Sequence, residues 1–181
     1  MSEPRLSVLP TVALYALLAL GAWLWLHFGR PAAHARLWVS KRIPRDALVG
    51  IGLGGGVVLL TRLAAWASPS AREMEAEFRT VIGPQSALAV PLLALASAGA
   101  EEYFFRGALQ SQIGVWAQAL VFGALHVPFN ARMIAWPFFA GAVGLAFGWL
   151  THWSGNLWPA ILAHATINHV NLSVIAFRRN P

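Results

Sequence analysis

The sequence predicts an all-α protein, a polytopic integral membrane bundle of about six transmembrane helices that forms a single membrane domain over residues 1–181. Hydrophobic residues make up 57% of the chain and charged residues only 11%, which is less charge than the surface of a soluble domain carries. Apolar runs of about 20 residues recur along the chain, and each can cross a hydrocarbon core about 30 Å thick. The absence of cysteine excludes disulfides, thiolate metal sites and cysteine nucleophiles.

The basic residues lie mainly between the apolar runs and give the chain a net charge of +6. In these positions they indicate membrane topology and contact with the lipid bilayer, and we expect no nucleic acid as a partner. Five Lys or Arg residues within 29–46 favour a cytoplasmic location for this loop, with both termini on the other side. Arg178 and Arg179 favour the reverse, so the sequence leaves the orientation open.

Residues 1–86 are predicted to form two N-terminal transmembrane helices, 6–28 and 47–66, and a short polar surface segment over 68–83. The polar segment mixes acidic and basic residues at helical spacing, which predicts a short surface helix without catalytic chemistry. A run of three glycines, 54–56, stands in the middle of the second transmembrane helix. Small residues at such a position predict the close approach of another helix.

The remaining apolar runs predict four further helices, at 85–110, 114–126, 133–151 and 157–177. The first of these is longer than a membrane crossing needs, and the second is short and ends before Pro128. The third contains small residues that permit tight helix packing. These small residues are Gly141, Gly144 and Gly148.

Three ionisable residues, Glu101, Glu102 and Arg106, follow the apolar run 92–99 without a break. Charges close to hydrocarbon are costly, and they usually face a protein interior or a water-filled cavity and serve a function. Glu102 and Arg106 stand four residues apart and can pair along one helix face, whereas Glu101 is rotated by about 100° from Glu102. The spacing therefore predicts a supporting ion pair and a free carboxylate at Glu101.

Other polar residues occur in the helices that follow. Phe122 and His126 are one turn apart, as are His164 and Asn168, while His169 points to another face. A single His or Asn in a transmembrane helix usually makes only an interhelical hydrogen bond. Their joint occurrence with an unpaired carboxylate predicts one shared cavity, where a carboxylate and an imidazole can activate water as a general base.

Three ordered motifs carry a resemblance to a known family: Glu-Glu-x-x-x-Arg at 101–106, Phe-x-x-x-His at 122–126 and His-x-x-x-Asn at 164–168. They resemble the motifs of the CAAX protease and bacteriocin-processing family of intramembrane glutamic endopeptidases. The resemblance covers about residues 87–177, which correspond to the catalytic core of that family. It implies peptide-bond hydrolysis without a metal or another cofactor.

The resemblance also implies a role for each matching residue. Glu101 corresponds to the general base, which activates water together with His126, and His164 and Asn168 correspond to the pair that stabilises the oxyanion or positions the water. Three matching positions support the site: Glu102, Arg106 and Phe122. The implied substrate is a membrane protein or peptide, cleaved in its C-terminal segment as by a sorting-signal protease or a CaaX-type processing protease. The small, basic, Trp-rich chain fits a prokaryotic cell membrane.

Three alternatives remain open from the residues alone. Glu101, His126 and His164 are possible ligands of a zinc-dependent membrane protease, although no His-Glu-x-x-His motif occurs. Buried Glu and His residues also suit a proton-coupled transporter, although no inverted repeat is visible. Finally, the same residues would be retained in a membrane scaffold or immunity protein in which they only pack.

Overall fold

The structure is a computed structural model that describes residues 6–128 and 130–177, and these residues contain helices and no strand. The predicted all-α class is therefore confirmed. Arg178 and Arg179, which entered the prediction of orientation, lie outside the described residues. The described part of the chain forms eight α-helices: α1 (Val8–Gly29), α2 (Pro31–Arg36), α3 (Ile43–Ala67), α4 (Pro69–Ile82), α5 (Ala89–Glu102), α6 (Gln110–Leu125), α7 (Trp136–Ser154) and α8 (Trp158–Phe177).

Most predicted helix ends lie within a few residues of those observed, and the differences have local causes. The second transmembrane helix begins at Ile43 instead of residue 47, because Pro44 occupies its first turn, where a missing N–H is tolerated. The predicted surface helix is α4, and the Ser68 side chain caps it by accepting a hydrogen bond from the backbone N–H of Ala71. α7 ends at Gly155, whose φ of 72° is a left-handed conformation that glycine adopts readily.

The helix predicted at 85–110 is wrong in two respects. It begins only at Ala89, and after Glu102 the backbone changes to a π-helical segment, Tyr103–Leu109. No residue type in the sequence predicts a π-helical segment. Such segments are frequent at functional sites. The predicted break before the following helix is present, because Gly114 has a φ of 82° and a ψ of 172° and interrupts α6.

Within the described residues, four helices are long and apolar enough to cross a membrane: α1, α3, α7 with the turn before it, and α8. The predicted helical membrane bundle is therefore confirmed. α5 has only 14 residues, fewer than the roughly 20 that a crossing needs, and the π-helical segment follows it. The prediction of about six spans therefore remains a prediction.

α8 packs against α3, α5 and α7, while α1 packs on α5 and on the π-helical segment. Close approach of α3 to α8 requires two glycines. A Cβ atom at Gly50 would lie 2.5 Å from the carbonyl oxygen of Pro159, and one at Gly54 would lie 2.6 Å from that of Ala163. The predicted close packing is thus confirmed at Gly54, and it is wrong for Gly55 and Gly56, which have no neighbour within 4 Å of such an atom.

We expect Gly54→Ala to lower the free energy of unfolding by about 1–3 kcal/mol, because α3 and α8 would have to separate to accept the methyl group. Gly55→Ala is the matched control, and it should be neutral or slightly stabilising because alanine favours a helix over glycine. Unfolding of both variants in detergent micelles measures the difference. Equal stability of the two variants would contradict the packing described.

Candidate active site

A cavity of about 600 Å³ lies between α1, α3, α4, α5, α7 and α8 and is lined mainly by apolar side chains. Four polar residues that the sequence singled out line it together: Glu101, His126, His164 and Asn168. They come from three helices and are up to 67 positions apart in the chain, from residue 101 to residue 168. The fold thus brings the predicted cluster into one chamber.

Glu101 and Glu102 diverge as their angular separation on a helix predicts. Glu101 lines the cavity, and its Oε2 atom is buried without a hydrogen-bond partner. Glu102 points away from the cavity and is 0% exposed. Its Oε1 atom lies 3.0 Å from Nη1 of Arg106, so the predicted ion pair is present and is shielded from solvent.

The ion pair has a third member that the sequence did not associate with it. His164 donates from Nδ1 to Oε1 of Glu102 over 2.7 Å, whereas spacing alone grouped His164 with Asn168. A carboxylate only accepts hydrogen bonds, so the proton stands on Nδ1, and Nε2 of His164 is left for the cavity. In this way Glu102 fixes the tautomer and the ring orientation of His164.

Arg106 is held by aromatic rings and a backbone carbonyl as well as by Glu102. Its guanidinium carbon lies 4.3 Å from the centre of the Phe122 ring, and Nη2 donates to the carbonyl oxygen of Gly144 over 3.1 Å. A Cβ atom at Gly144 would lie 2.9 Å from Cδ1 of Phe122 and 3.1 Å from that Nη2 atom. Gly144 therefore leaves space for the side chains of Arg106 and Phe122. The sequence predicted only tight helix packing at this position.

His126 follows α6 directly and lies against two aromatic rings. The ring centres of Phe122 and Trp136 are 4.4 Å and 5.4 Å from that of His126. Its Nδ1 atom is 2.6 Å from the carbonyl oxygen of Phe122. A carbonyl can only accept, so Nδ1 carries the proton and the lone pair of Nε2 is available to take a proton from water.

Asn168 is oriented by a serine that the sequence analysis did not single out. The Nδ2 group of Asn168 donates to Oγ of Ser97 over 2.9 Å, and Ser97 in turn donates to the carbonyl oxygen of Ala94 over 3.2 Å. Ser97 stands one helical turn before Glu101 and shares its face of α5. That spacing was the available signal, and both residues line the cavity.

The zinc alternative depends on Glu101, His126 and His164 converging on one ion. Within residues 6–128 and 130–177, no three His, Cys, Asp or Glu side chains are grouped closely enough to hold a metal. These side chains therefore do not fit a zinc site of three protein ligands.

α4 forms one wall of the cavity, although the sequence assigned this surface helix no chemistry. Met74 and Phe78 face the cavity, while Glu75 receives a hydrogen bond of 2.9 Å from each of two arginines, Arg62 of α3 and Arg79 of α4. Farther along α4, Glu77 accepts from Arg132, in the turn before α7, over 2.8 Å. The pairs with Arg62 and Arg132 fix α4 to the rest of the bundle.

The contacts of Glu77 predict a pH dependence. Hydrogen bonds from Arg132 and Asn130 hold the pKa of Glu77 below its usual value. A carboxyl group with a lowered pKa in the folded state stabilises the fold above its unfolded-state pKa, and this contribution disappears as the pH falls through the lowered value. We therefore expect Glu77→Gln to lower the unfolding temperature at neutral pH, and the difference from wild type to shrink as the pH falls through the lowered pKa of Glu77.

Thermal unfolding in detergent over this pH range measures the effect. Glu73→Gln, on the same helix, controls for the removal of one acidic group from α4. A difference between Glu77→Gln and wild type that stays constant over the whole pH range would contradict the assignment.

The fold and this site define an α-helical membrane protein with an ion pair buried behind an acid–base cavity. Residues 83–170 match the sequence model of a family described as type II CAAX prenyl endopeptidase Rce1-like. This segment matches the CAAX protease and bacteriocin-processing family, which the three motifs indicated. The segment contains α5 to α7 and most of α8, and with them all seven residues of the three motifs.

A curated relative is the uncharacterized protein YpbD of Bacillus subtilis (strain 168), 36% identical over 85 residues. The aligned region is 47% of this chain and 44% of YpbD, so the chain matches less than half the length of that relative. No solved structure matches the chain.

Proposed function

We propose that the chain is an intramembrane endopeptidase that hydrolyses a peptide bond of a membrane-associated protein or peptide with water activated by Glu101 and His126. One observation carries the proposal. One apolar cavity is lined by the Glu101 carboxylate, whose Oε2 atom has no hydrogen-bond partner, and by the imidazoles of His126 and His164, whose Nδ1 atoms are already engaged. The family match of residues 83–170 supports the same reaction class.

In the proposed reaction Glu101 takes a proton from water, and His126 accepts a hydrogen bond from the same water through Nε2. The resulting hydroxide attacks the carbonyl carbon of the peptide bond and forms a tetrahedral oxyanion. The amide N–H of Asn168 that Ser97 leaves free stabilises this oxyanion. So does His164, which enters the reaction with a proton on both ring nitrogens and keeps both. The leaving amine receives its proton from Glu101, and the bond between carbon and nitrogen breaks.

The role given to His164 depends on the residues behind it. In the protonated form the ring donates from Nδ1 to Glu102 and from Nε2 to the oxyanion. The buried Glu102 carboxylate stabilises this positive charge through a charge-assisted hydrogen bond. Arg106 in turn neutralises Glu102 and fixes its position.

For Asn168→Ala we expect kcat to fall by about 10²–10³-fold, the usual loss when one donor to an oxyanion is removed. His169→Ala, the next residue of α8, is the control, because His169 is exposed and outside the cavity. Initial rates of the purified variants on a cleaved peptide measure the effect. A loss below about tenfold for Asn168→Ala would remove this residue from the proposed oxyanion site.

We propose that the substrate is the C-terminal segment of a membrane protein or peptide, such as a sorting signal, in the membrane of a prokaryotic cell. The apolar cavity wall supports a hydrophobic segment as the substrate. The test compares the C-termini of membrane proteins in wild type, a deletion strain and a Glu101→Ala strain. Unprocessed tails in both mutant strains are expected, and identical C-termini in all three strains would contradict the proposal.

A further inference from the structure

α1 lies outside the segment 83–170 that carries the family match, yet it contributes to the cavity. One stripe of this helix faces the bundle. Near its C-terminal end the stripe consists of Ala22 and Leu26, which are 0% and 1% exposed. Near its N-terminal end the same stripe presents Thr11 and Tyr15, both of which line the cavity. The spacing of four, seven and four residues keeps all four on one helix face.

The buried end of this stripe fixes how α1 sits on the site. Ala22 and Leu26 pack in one cluster with Tyr103 and Ala108 of the π-helical segment, directly after Glu101 and Glu102. Movement of α1 along or around its axis would therefore disrupt packed side chains. The position of Tyr15 relative to Glu101 is set by this packing.

Glu101 needs a hydrogen-bond donor that the neighbouring polar residues do not supply. Its buried Oε2 atom has no partner, and a carboxylate held in apolar surroundings is costly without one. One amide N–H of Asn168 is taken by Ser97, and Nδ1 of His164 donates to Glu102, so neither of these N–H groups is available to Glu101. The hydroxyl of Tyr15, in the same cavity, is close enough to Glu101 to interact with its carboxylate.

We propose that Tyr15 is a positioning residue for the reaction: its hydroxyl donates a hydrogen bond to Glu101 and holds the carboxylate in the orientation that takes a proton from water. Its effect on rate rests on the proposed function, whereas the contact itself does not. α1 is then a part of the active site, and the segment 83–170 alone lacks one of the groups that orient the general base.

Fluorine NMR tests the contact without a substrate, because the chain has only two tyrosines, Tyr15 and Tyr103. The full chain in detergent is labelled with 3-fluorotyrosine, and the two resonances are assigned with Tyr15→Phe and Tyr103→Phe. Glu101→Gln is expected to shift the Tyr15 resonance by more than its linewidth. The Tyr103 resonance should stay in place, because its hydroxyl is bonded to His34.

Glu77→Gln is the control for this measurement, because Glu77 is engaged with Arg132 outside the cavity. It should leave both resonances unchanged. A Tyr15 resonance that does not respond to Glu101→Gln overturns the proposed contact, whatever reaction the protein performs.

Kinetics test the consequence of the contact. On a fluorogenic peptide that wild type cleaves and Glu101→Ala does not, Tyr15→Phe should lower kcat about ten- to hundredfold and leave KM within about twofold, as expected for loss of one hydrogen bond to a charged group. Tyr103→Phe, the same substitution away from the cavity, should keep kcat near that of wild type. An unchanged kcat, or a change confined to KM, overturns the positioning role.

If wild type cleaves no such peptide, the proposed function fails, and the NMR result still decides whether Tyr15 binds Glu101.

Discussion

Glu101→Gln is expected to lower kcat for peptide hydrolysis by about 10²–10⁴-fold, the contribution typical of a positioned general base. The glutamine keeps the size of the side chain and cannot accept the proton of the attacking water. Because Glu101 belongs to no ion pair seen among the described residues, the variant should unfold at nearly the same temperature as wild type. Rates on a cleaved peptide and thermal unfolding in detergent test both parts.

The adjacent glutamate provides the informative comparison. Glu102→Gln removes the partner of Arg106 and of His164, so it should reduce stability as well as rate. Glu73→Gln, on the exposed side of α4, should change neither. Full activity of purified Glu101→Gln would contradict the assignment of Glu101 as the general base.

Arg106→Met is expected to cost about 3–5 kcal/mol of the free energy of unfolding, because it leaves the Glu102 carboxylate buried without its cation. Both side chains of this pair are 0% exposed, so water cannot replace the lost partner. The substitution also removes the contact with Phe122 and the hydrogen bond to Gly144. Denaturant unfolding in micelles measures the loss.

Arg132→Met is the matched control, since the same substitution there breaks an ion pair with Glu77 in which Arg132 is 66% exposed. A pair in that setting contributes little to stability because water screens it. The double variant Glu102→Gln/Arg106→Met should regain part of the loss, since it leaves no uncompensated charge. Equal losses of unfolding free energy for Arg106→Met and Arg132→Met would show that the buried pair contributes no more to stability than the exposed one.

Local sequence patterns were sufficient for the fold class, most helix positions and the Glu102–Arg106 pair. Long apolar runs and Pro128 after a short helix act within a few residues, so they can be recognised without knowing the partners. Pro44 in the first turn of α3 is a signal of the same kind, and the predicted start at residue 47 overlooked it. The angular offset of Glu101 from Glu102 also follows from the geometry of one helix. The three motifs indicated the family, and the match of residues 83–170 confirms it.

Features that depend on two distant segments could not be predicted in the same way. No local pattern predicts that His164 bonds to Glu102, 62 residues earlier, and not to Asn168 one turn away. Likewise, Gly144 was recognisable as a small residue, and only its position against Arg106 and Phe122 shows what the missing side chain accommodates. The cavity wall formed by α4 was missed because its charged face suggested only contact with water.

The sequence by itself determined that this is a helical membrane protein, which residues carry ionisable groups inside it, and which of them share a helix face. Which of those groups come together depends on the tertiary structure: Glu102 bonds to Arg106 and His164 behind the cavity, and Glu101 lines the cavity with His126 and Asn168. The physical reason is that hydrophobicity and helical period act locally along the chain. Hydrogen bonds between side chains of different helices, in contrast, exist only after the helices have packed.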